Sequence, residues 1–177
     1  MTESRRLLRH FLAALAYRTQ KALRGASPEF GEFRAGTHVR TPHELLWHMT
    51  GVIGYACTML HGGTFAPPRL ANFGDEIARF HDTLAMLHAD FGDASLEAGI
   101  SDERFLQGPL SDAMTHAGQL AMLRRLAGSP VASENFVMAR IDSTNVGPEQ
   151  AEPVAPDAWW RPDQSPRPPG PAAPDER

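Results

Sequence analysis

The sequence has one cysteine and no long hydrophobic run. Cys57 alone cannot form an internal disulfide or a cysteine-rich metal motif. The uncharged, apolar-leaning run at residues 49–68 contains several glycines and two prolines and is too polar to span a membrane. A formal net charge of -4 argues against a protein that neutralises nucleic-acid phosphates. With no signal-peptide pattern, we expect a cytoplasmic protein whose partners include neither nucleic acid nor a membrane.

Proline is distributed unevenly along the 177 residues. Of 15 prolines, 8 lie within residues 151–177, a composition typical of an extended or disordered segment. We therefore predict one domain over residues 1–150 and a proline-rich tail over 151–177 that is partly docked or disordered. Trp159 and Trp160 are two adjacent large rings in this tail, and we expect them to bind back onto the domain.

The apolar residues of the domain recur with helical rather than strand spacing. We predict an all-α four-helix bundle with helices over residues 3–24, 41–61, 73–91 and 109–127. Thr41, Pro42 and Glu44 form the clearest start signal, a capping box with proline at the first helical position. Asn72 is the expected cap of the third helix. A short fifth helix over residues 134–140 is also compatible with the pattern.

Two histidines lie on predicted inward helix faces. The face of the second helix is predicted to comprise Leu45, His48, Met49, Val52, Tyr55, Ala56 and Met59. On the fourth helix, Asp112 and His116 are one turn apart and share a stripe with Gln119. Asp112 and His116 can point at one divalent ion, and His48 would complete a metal site with open positions if the second helix faces the fourth. The alternative is a hydrogen bond between Asp112 and His116 within the helix. Glu44 is a fallback ligand, and Gln119 is expected to orient a ligand from behind.

Two segments resemble the DinB-like (DinB/YfiT, damage-inducible) superfamily of metal-binding four-helix bundle proteins. They are TPHELLWHM at residues 41–49 and THAGQLAMLRRLAG at residues 115–128, and the second is the more specific. The resemblance covers most of residues 5–150.

The resemblance implies a metal centre with three histidines, one from the second helix and two from the fourth. His48 matches the first position and His116 the last, but Asp112 stands where the family has its middle histidine. Aspartate is an acceptable ligand for Zn²⁺, Ni²⁺ or Mn²⁺, so the site either persists with one more negative charge or is weakened. Gly118, beside His116, is expected to let the second helix approach closely.

The resemblance also implies a function class. Related proteins include thiol-dependent transferases that use low-molecular-weight thiols and metal-dependent hydrolases, so we expect a small-molecule substrate and a metal-activated thiol or water. Cys57 is expected to be a packing residue, and no catalytic side chain can be named. The alternative is a non-catalytic small-ligand-binding or stress-related bundle with weak or no metal. A homodimer is predicted through the first helix, with Ala14 and Tyr17 as additional apolar contacts.

Overall fold

The computed structural model describes residues 1–154, and every regular element among them is helical. The elements are α1 (Glu3–Leu23), a 3-10 turn (Pro28–Glu32), α2 (Pro42–His61), α3 (Phe73–Gly92), α4 (Asp102–Phe105), a π-helical turn (Leu106–Leu110) and α5 (Ser111–Leu126). The predicted all-α class and its four long helices are thus confirmed. The predictions for Trp159, Trp160 and most of the proline-rich tail lie outside the described residues.

Local sequence signals place the helix starts where we expected them. The Thr41 side chain accepts from the backbone N–H of Glu44, and the Glu44 carboxylate accepts from the Thr41 N–H, which completes the capping box of α2. The Asn72 side chain likewise accepts from the Asp75 N–H at the start of α3. These bonds satisfy N–H groups that have no partner within the helix.

The last long helix differs from the prediction at its start. Helical structure begins earlier, with α4, and passes through the π-helical turn before α5 begins. Gly108 breaks the helix with φ -93° and ψ -105°, immediately before Pro109. Pro109 is therefore not the first residue of an isolated helix but part of a kink within a longer helical run. The fifth helix suggested for residues 134–140 is not formed: this segment contains an isolated bridge residue at Glu134, a turn and a bend.

The four long helices pack as a ring around one apolar core. The principal pairs are α2 with α3, α3 with α1, α1 with α5 and α5 with α2. The helices and residues 141–151 form one compact unit, and residues 132–140 belong to a second. No helix in residues 1–154 combines the length and the hydropathy needed to cross a bilayer.

Two predicted helix faces need correction. Tyr55 is 56% exposed and Val52 is only partly buried, so neither belongs to the buried core. Leu45, Met49 and Ala56 of the predicted face of α2 are buried, and Leu46 and Ile53 are buried beside them. In α1, Tyr17 is 2% exposed. Its ring belongs to the interior and cannot provide the dimer contact that we assigned to it. The predicted homodimer itself stays a prediction.

Arg124 joins the two helices that lie furthest apart in the sequence. Its Nη1 donates to the carbonyls of Ala22 (3.2 Å) and Arg24 (3.1 Å), which end α1, and its Nε donates to the Ser129 carbonyl (2.8 Å). The guanidinium lies over the Phe30 ring, 5.4 Å from its centroid, and the residue is 4% exposed. One buried side chain of α5 therefore satisfies carbonyls that the end of α1 leaves without helical partners.

Residues 141–151 are held against α3 by two buried histidines. His81 Nδ1 lies 2.8 Å from the Val146 carbonyl, and His88 Nε2 lies 2.8 Å from the Ser143 carbonyl. A carbonyl can only accept, so His81 Nδ1 donates its N–H to Val146. Burial lowers the pKa of both histidines, and their contacts with these carbonyls give both a structural role.

Candidate metal centre

Three side chains from α2 and α5 converge where these helices meet. Asp112 Oδ1 lies 3.3 Å from His116 Nε2, and Asp112 Oδ2 lies 3.8 Å from His48 Nε2. The two imidazole rings meet edge to face with centroids 4.8 Å apart. The potential ligand atoms of all three residues lie within 4.8 Å of one another. The structure therefore brings together the three residues that the sequence singled out.

These distances fit a shared divalent ion. Two ligand atoms at about 2.1 Å from a tetrahedral ion are about 3.4 Å apart. The His116–Asp112 distance of 3.3 Å matches this spacing, and the His48–Asp112 distance of 3.8 Å needs only a small side-chain movement. Two nitrogens and one carboxylate suit Zn²⁺, Ni²⁺ or Mn²⁺ and leave further coordination positions for water or substrate.

Gln119 fixes the orientation of the His116 ring. Its Nδ1 lies 2.8 Å from Gln119 Oε1, which accepts the Nδ1 proton and leaves the lone pair on Nε2, the nitrogen that faces Asp112. The His116 side chain is 11% exposed, compared with 32% for His48 and 49% for Asp112. The centre thus has a buried, oriented nitrogen on one side and a solvent-accessible carboxylate on the other. This is the arrangement expected when an outer residue orients a metal ligand.

The electrostatics favour a neutral His48. Burial lowers the pKa of its imidazole, and the nearby Arg40 and His116 act in the same direction, whereas Asp112 opposes them. A neutral imidazole is the form that binds a metal ion.

Of the residues considered around the centre, Gly118 does not have its predicted role and the fallback ligand Glu44 lies outside the three-residue cluster. Glu44 is occupied by the capping box, with Arg69 Nη1 3.9 Å from its carboxylate, and it is not part of the group that could hold an ion. Gly118 does not mark a close helix approach, because an added Cβ would meet no atom within 4 Å.

Cys57 is 5% exposed, and burial, reinforced by Asp90, raises the pKa of its thiol to about 12, so this residue is not a nucleophile at neutral pH.

The centre opens into a cavity of about 980 Å³. This volume is at the upper end of the range typical of small-molecule sites. The lining residues include His48 and Asp112, and the walls are largely apolar and aromatic, formed by Trp47, Val52, Tyr55, Phe65, Ala66, Pro67 and Pro109. A ligand in the cavity would therefore contact two of the three converging side chains.

The segment between α2 and α3 forms one wall of the cavity. The Phe65 ring packs directly on Gly54, where a Cβ would lie only 2.0 Å from a ring carbon. Trp47 Nε1 donates to the Pro67 carbonyl at 2.9 Å. Gly51, one turn before Gly54, faces open cavity space, since an added Cβ would meet nothing within 4 Å. The two glycines on one face of α2 make room for the wall and for the cavity.

Sequence reasoning missed the cavity and Arg40, the one arginine or lysine among the described residues that line it. The pair Gly51 and Gly54 was the available signal, because two glycines in one helix interior are unfavourable unless something approaches the backbone. The Gly108–Pro109 pair was a second signal in the sequence, because it produces the kink in the π-helical turn and such turns frequently lie at functional sites.

Comparison of the chain with family models, curated proteins and solved structures finds no match.

Proposed function

We propose that the protein is a divalent-metal-dependent enzyme of the DinB-like superfamily of four-helix bundles, a thiol-dependent transferase or a hydrolase. The observation that carries the proposal is the convergence of His48, Asp112 and His116 at the edge of a large, mostly apolar cavity. The proposed enzyme class comes from the resemblance of α2 and α5, the helices that supply these residues, to the DinB-like superfamily.

The residues have distinct roles in this proposal. His48 and His116 supply nitrogen ligands, Asp112 supplies the carboxylate, and Gln119 holds the His116 ring in place. A divalent ion bound there would lower the pKa of a coordinated water or thiol towards neutrality and so supply a nucleophile. The cavity walls bind the apolar part of the substrate and exclude water from it. Since the Cys57 thiol is buried with a raised pKa, a thiol nucleophile would come from a second, low-molecular-weight substrate.

Metal content is the first test. We expect purified full-length protein to bind Zn²⁺, Ni²⁺ or Mn²⁺ with one ion per chain, measured by elemental analysis and by calorimetric titration of the metal-free protein. His116→Ala should abolish stoichiometric binding, whereas the matched control His10→Ala, a substitution at an exposed position of α1, should not change it. A wild-type protein that binds none of the three ions in stoichiometric amount would contradict the proposal.

Asp112 provides a sharper test of the family resemblance. Asp112→His creates the three-histidine pattern that the resemblance implies, so it should retain or strengthen Zn²⁺ and Ni²⁺ binding, whereas Asp112→Ala should weaken it. The metal-loaded protein is then assayed with reduced low-molecular-weight thiols and an aromatic electrophile, and separately with activated esters. Thiol consumption or ester hydrolysis that is lost in His116→Ala supports the enzyme class.

A second candidate function is non-catalytic binding of a small ligand. The observation that favours it is that separations of 3.3 and 3.8 Å also suit a simple ion pair between Asp112 and the two histidines. In that case the cavity binds a small molecule without metal. Ligand binding by metal-free protein, together with no turnover in any metal-loaded preparation, would favour this candidate over the enzyme.

A further inference from the structure

An exposed cation that the proposed metal chemistry does not use lines the cavity. Arg40 immediately precedes the Thr41 cap of α2 and lines the cavity together with His48. Among the described residues that line the cavity, Arg40 and Asp112 are the only ones with a permanent formal charge. Asp112 is already turned towards the two histidines, so it does not neutralise Arg40.

Several other arginines of the described residues have structural partners, although the exposed Arg34 and Arg140, like Arg40, have no hydrogen-bond or ion-pair partner. Arg5 pairs with Asp102 at 2.6 Å, Arg79 forms a forked contact with the buried Glu76, and Arg124 donates to helix-end carbonyls. Within residues 1–154, the guanidinium of Arg40 has neither a hydrogen-bond acceptor nor an ion-pair partner. Its five donors are therefore available to a ligand in the cavity.

We propose that the cavity selects amphipathic anions, with the carboxylate, sulfonate or phosphate of the ligand on Arg40 and its apolar or aromatic body against Trp47, Tyr55 and Phe65. A planar guanidinium binds such oxyanions through two parallel N–H bonds. The hydroxyls of Ser111 and Thr115 already donate to backbone carbonyls, and the other polar donors of the described lining include the uncharged Gln107 amide and Tyr55 hydroxyl, which bind an oxyanion less strongly than a guanidinium. As a statement about substrates, this inference rests on the proposed function; as a statement about binding, it does not need the metal.

A matched pair of fluorescent probes tests the inference on the full-length, metal-free protein in the presence of a chelator. 8-Anilinonaphthalene-1-sulfonate and N-phenyl-1-naphthylamine share the same aromatic body, and only the first carries a sulfonate. We expect the wild-type protein to bind the sulfonate more tightly. Arg40→Gln should weaken the binding of the sulfonate about tenfold, the size expected for one charge-assisted contact, and change that of the neutral probe less than twofold.

Two control variants locate the effect. Arg34→Gln removes the same charge from an exposed position of the same segment that does not line the cavity, and should leave both affinities unchanged. Gly51→Leu places a side chain in the open cavity space and should weaken the binding of both probes. Rising salt should reduce sulfonate binding in the wild type but not in Arg40→Gln.

Three results would overturn the inference: equal affinity of the wild type for the two probes, an unchanged sulfonate affinity in Arg40→Gln, or probe binding that Gly51→Leu does not affect. Failure of the proposed function is recognised separately, by the metal content of the wild type. A protein that discriminates the probes through Arg40 but binds no metal would retain the anion site and lose the enzyme proposal. A protein that binds metal but does not discriminate the probes would retain the enzyme proposal and lose the anion site.

Discussion

Alanine substitution at Gly51 and Gly54 should have opposite effects on stability. Both glycines lie inside α2, where alanine is favoured over glycine by about 0.5–1 kcal/mol. At Gly51 the new methyl group meets no atom within 4 Å, so the free energy of unfolding should rise by about that amount. At Gly54 the methyl group would lie 2.0–2.4 Å from three carbons of the Phe65 ring, which must then move.

The displacement of Phe65 determines how much the two alanine variants differ in the free energy of unfolding. Overpacking of this kind typically costs about 1–3 kcal/mol, which exceeds the gain from helix propensity. We therefore expect Gly54→Ala to be less stable than Gly51→Ala by about 1–3 kcal/mol. Urea denaturation followed by circular dichroism measures both values, with unchanged slopes as the sign that the folded state remains compact.

A double-mutant cycle isolates the contact. In a Phe65→Ala background the clash is absent, so Gly54→Ala should stabilise the protein by about 0.5–1 kcal/mol. The coupling energy between positions 54 and 65 should then be about 1–3 kcal/mol, whereas Gly51 should show none with Phe65. Equal effects of the two alanines, or a Gly54→Ala effect that does not depend on Phe65, would refute the packing of this wall on α2.

Three further outcomes follow from contacts elsewhere. Gln119→Ala should weaken Zn²⁺ binding about 10- to 100-fold in calorimetric titrations, because His116 loses the acceptor that orients its ring; unchanged affinity would show that the bond has no such role. Arg124→Leu should lower the free energy of unfolding in urea by about 2–3 kcal/mol, because it leaves buried carbonyls without a donor; a loss below about 0.5 kcal/mol would contradict this. Burial lowers the pKa of His81 and His88 in the folded state below the unfolded value of about 6.5. The unfolded chain thus takes up protons first, so stability should fall as the pH drops from about 7 to 5, and less steeply in His81→Gln.

Most of the helix boundaries could be predicted because their signals are local. Thr41 with Glu44 and Asn72 with Asp75 act within one turn of the chain, and the structure shows the hydrogen bonds expected of them. The helical run that begins at Asp102 could not be predicted in the same way. Pro109 reads locally as a start signal. The helical turns before it depend on tertiary burial, since Phe105 and Leu110, one on each side of the kink, are both 0% exposed.

The candidate site was only partly accessible from the sequence. The spacing of Asp112 and His116 places them on one stripe, but the pairing of α2 with α5 that adds His48 came from the resemblance rather than from periodicity. An amphipathic stripe also cannot distinguish a face that packs in the core from one that borders a cavity, which is why Tyr55 was placed inside although it is 56% exposed. The wall of residues 62–72 depends on tertiary packing, so no local rule predicts its path.

The ring order of the helices has a consequence for the order of folding. Helices α2 and α3 are close in the sequence and can pair early, whereas α1 and α5 pair only after a much longer loop has closed, as the 101-residue separation of Arg124 and Leu23 shows. A chain that has formed only the early pair holds His48 but lacks both of its α5 partners. We therefore expect the three-residue cluster to exist only in the fully assembled domain. Any ion bound there would bind after the helices have packed and would stabilise the folded state over partly folded ones.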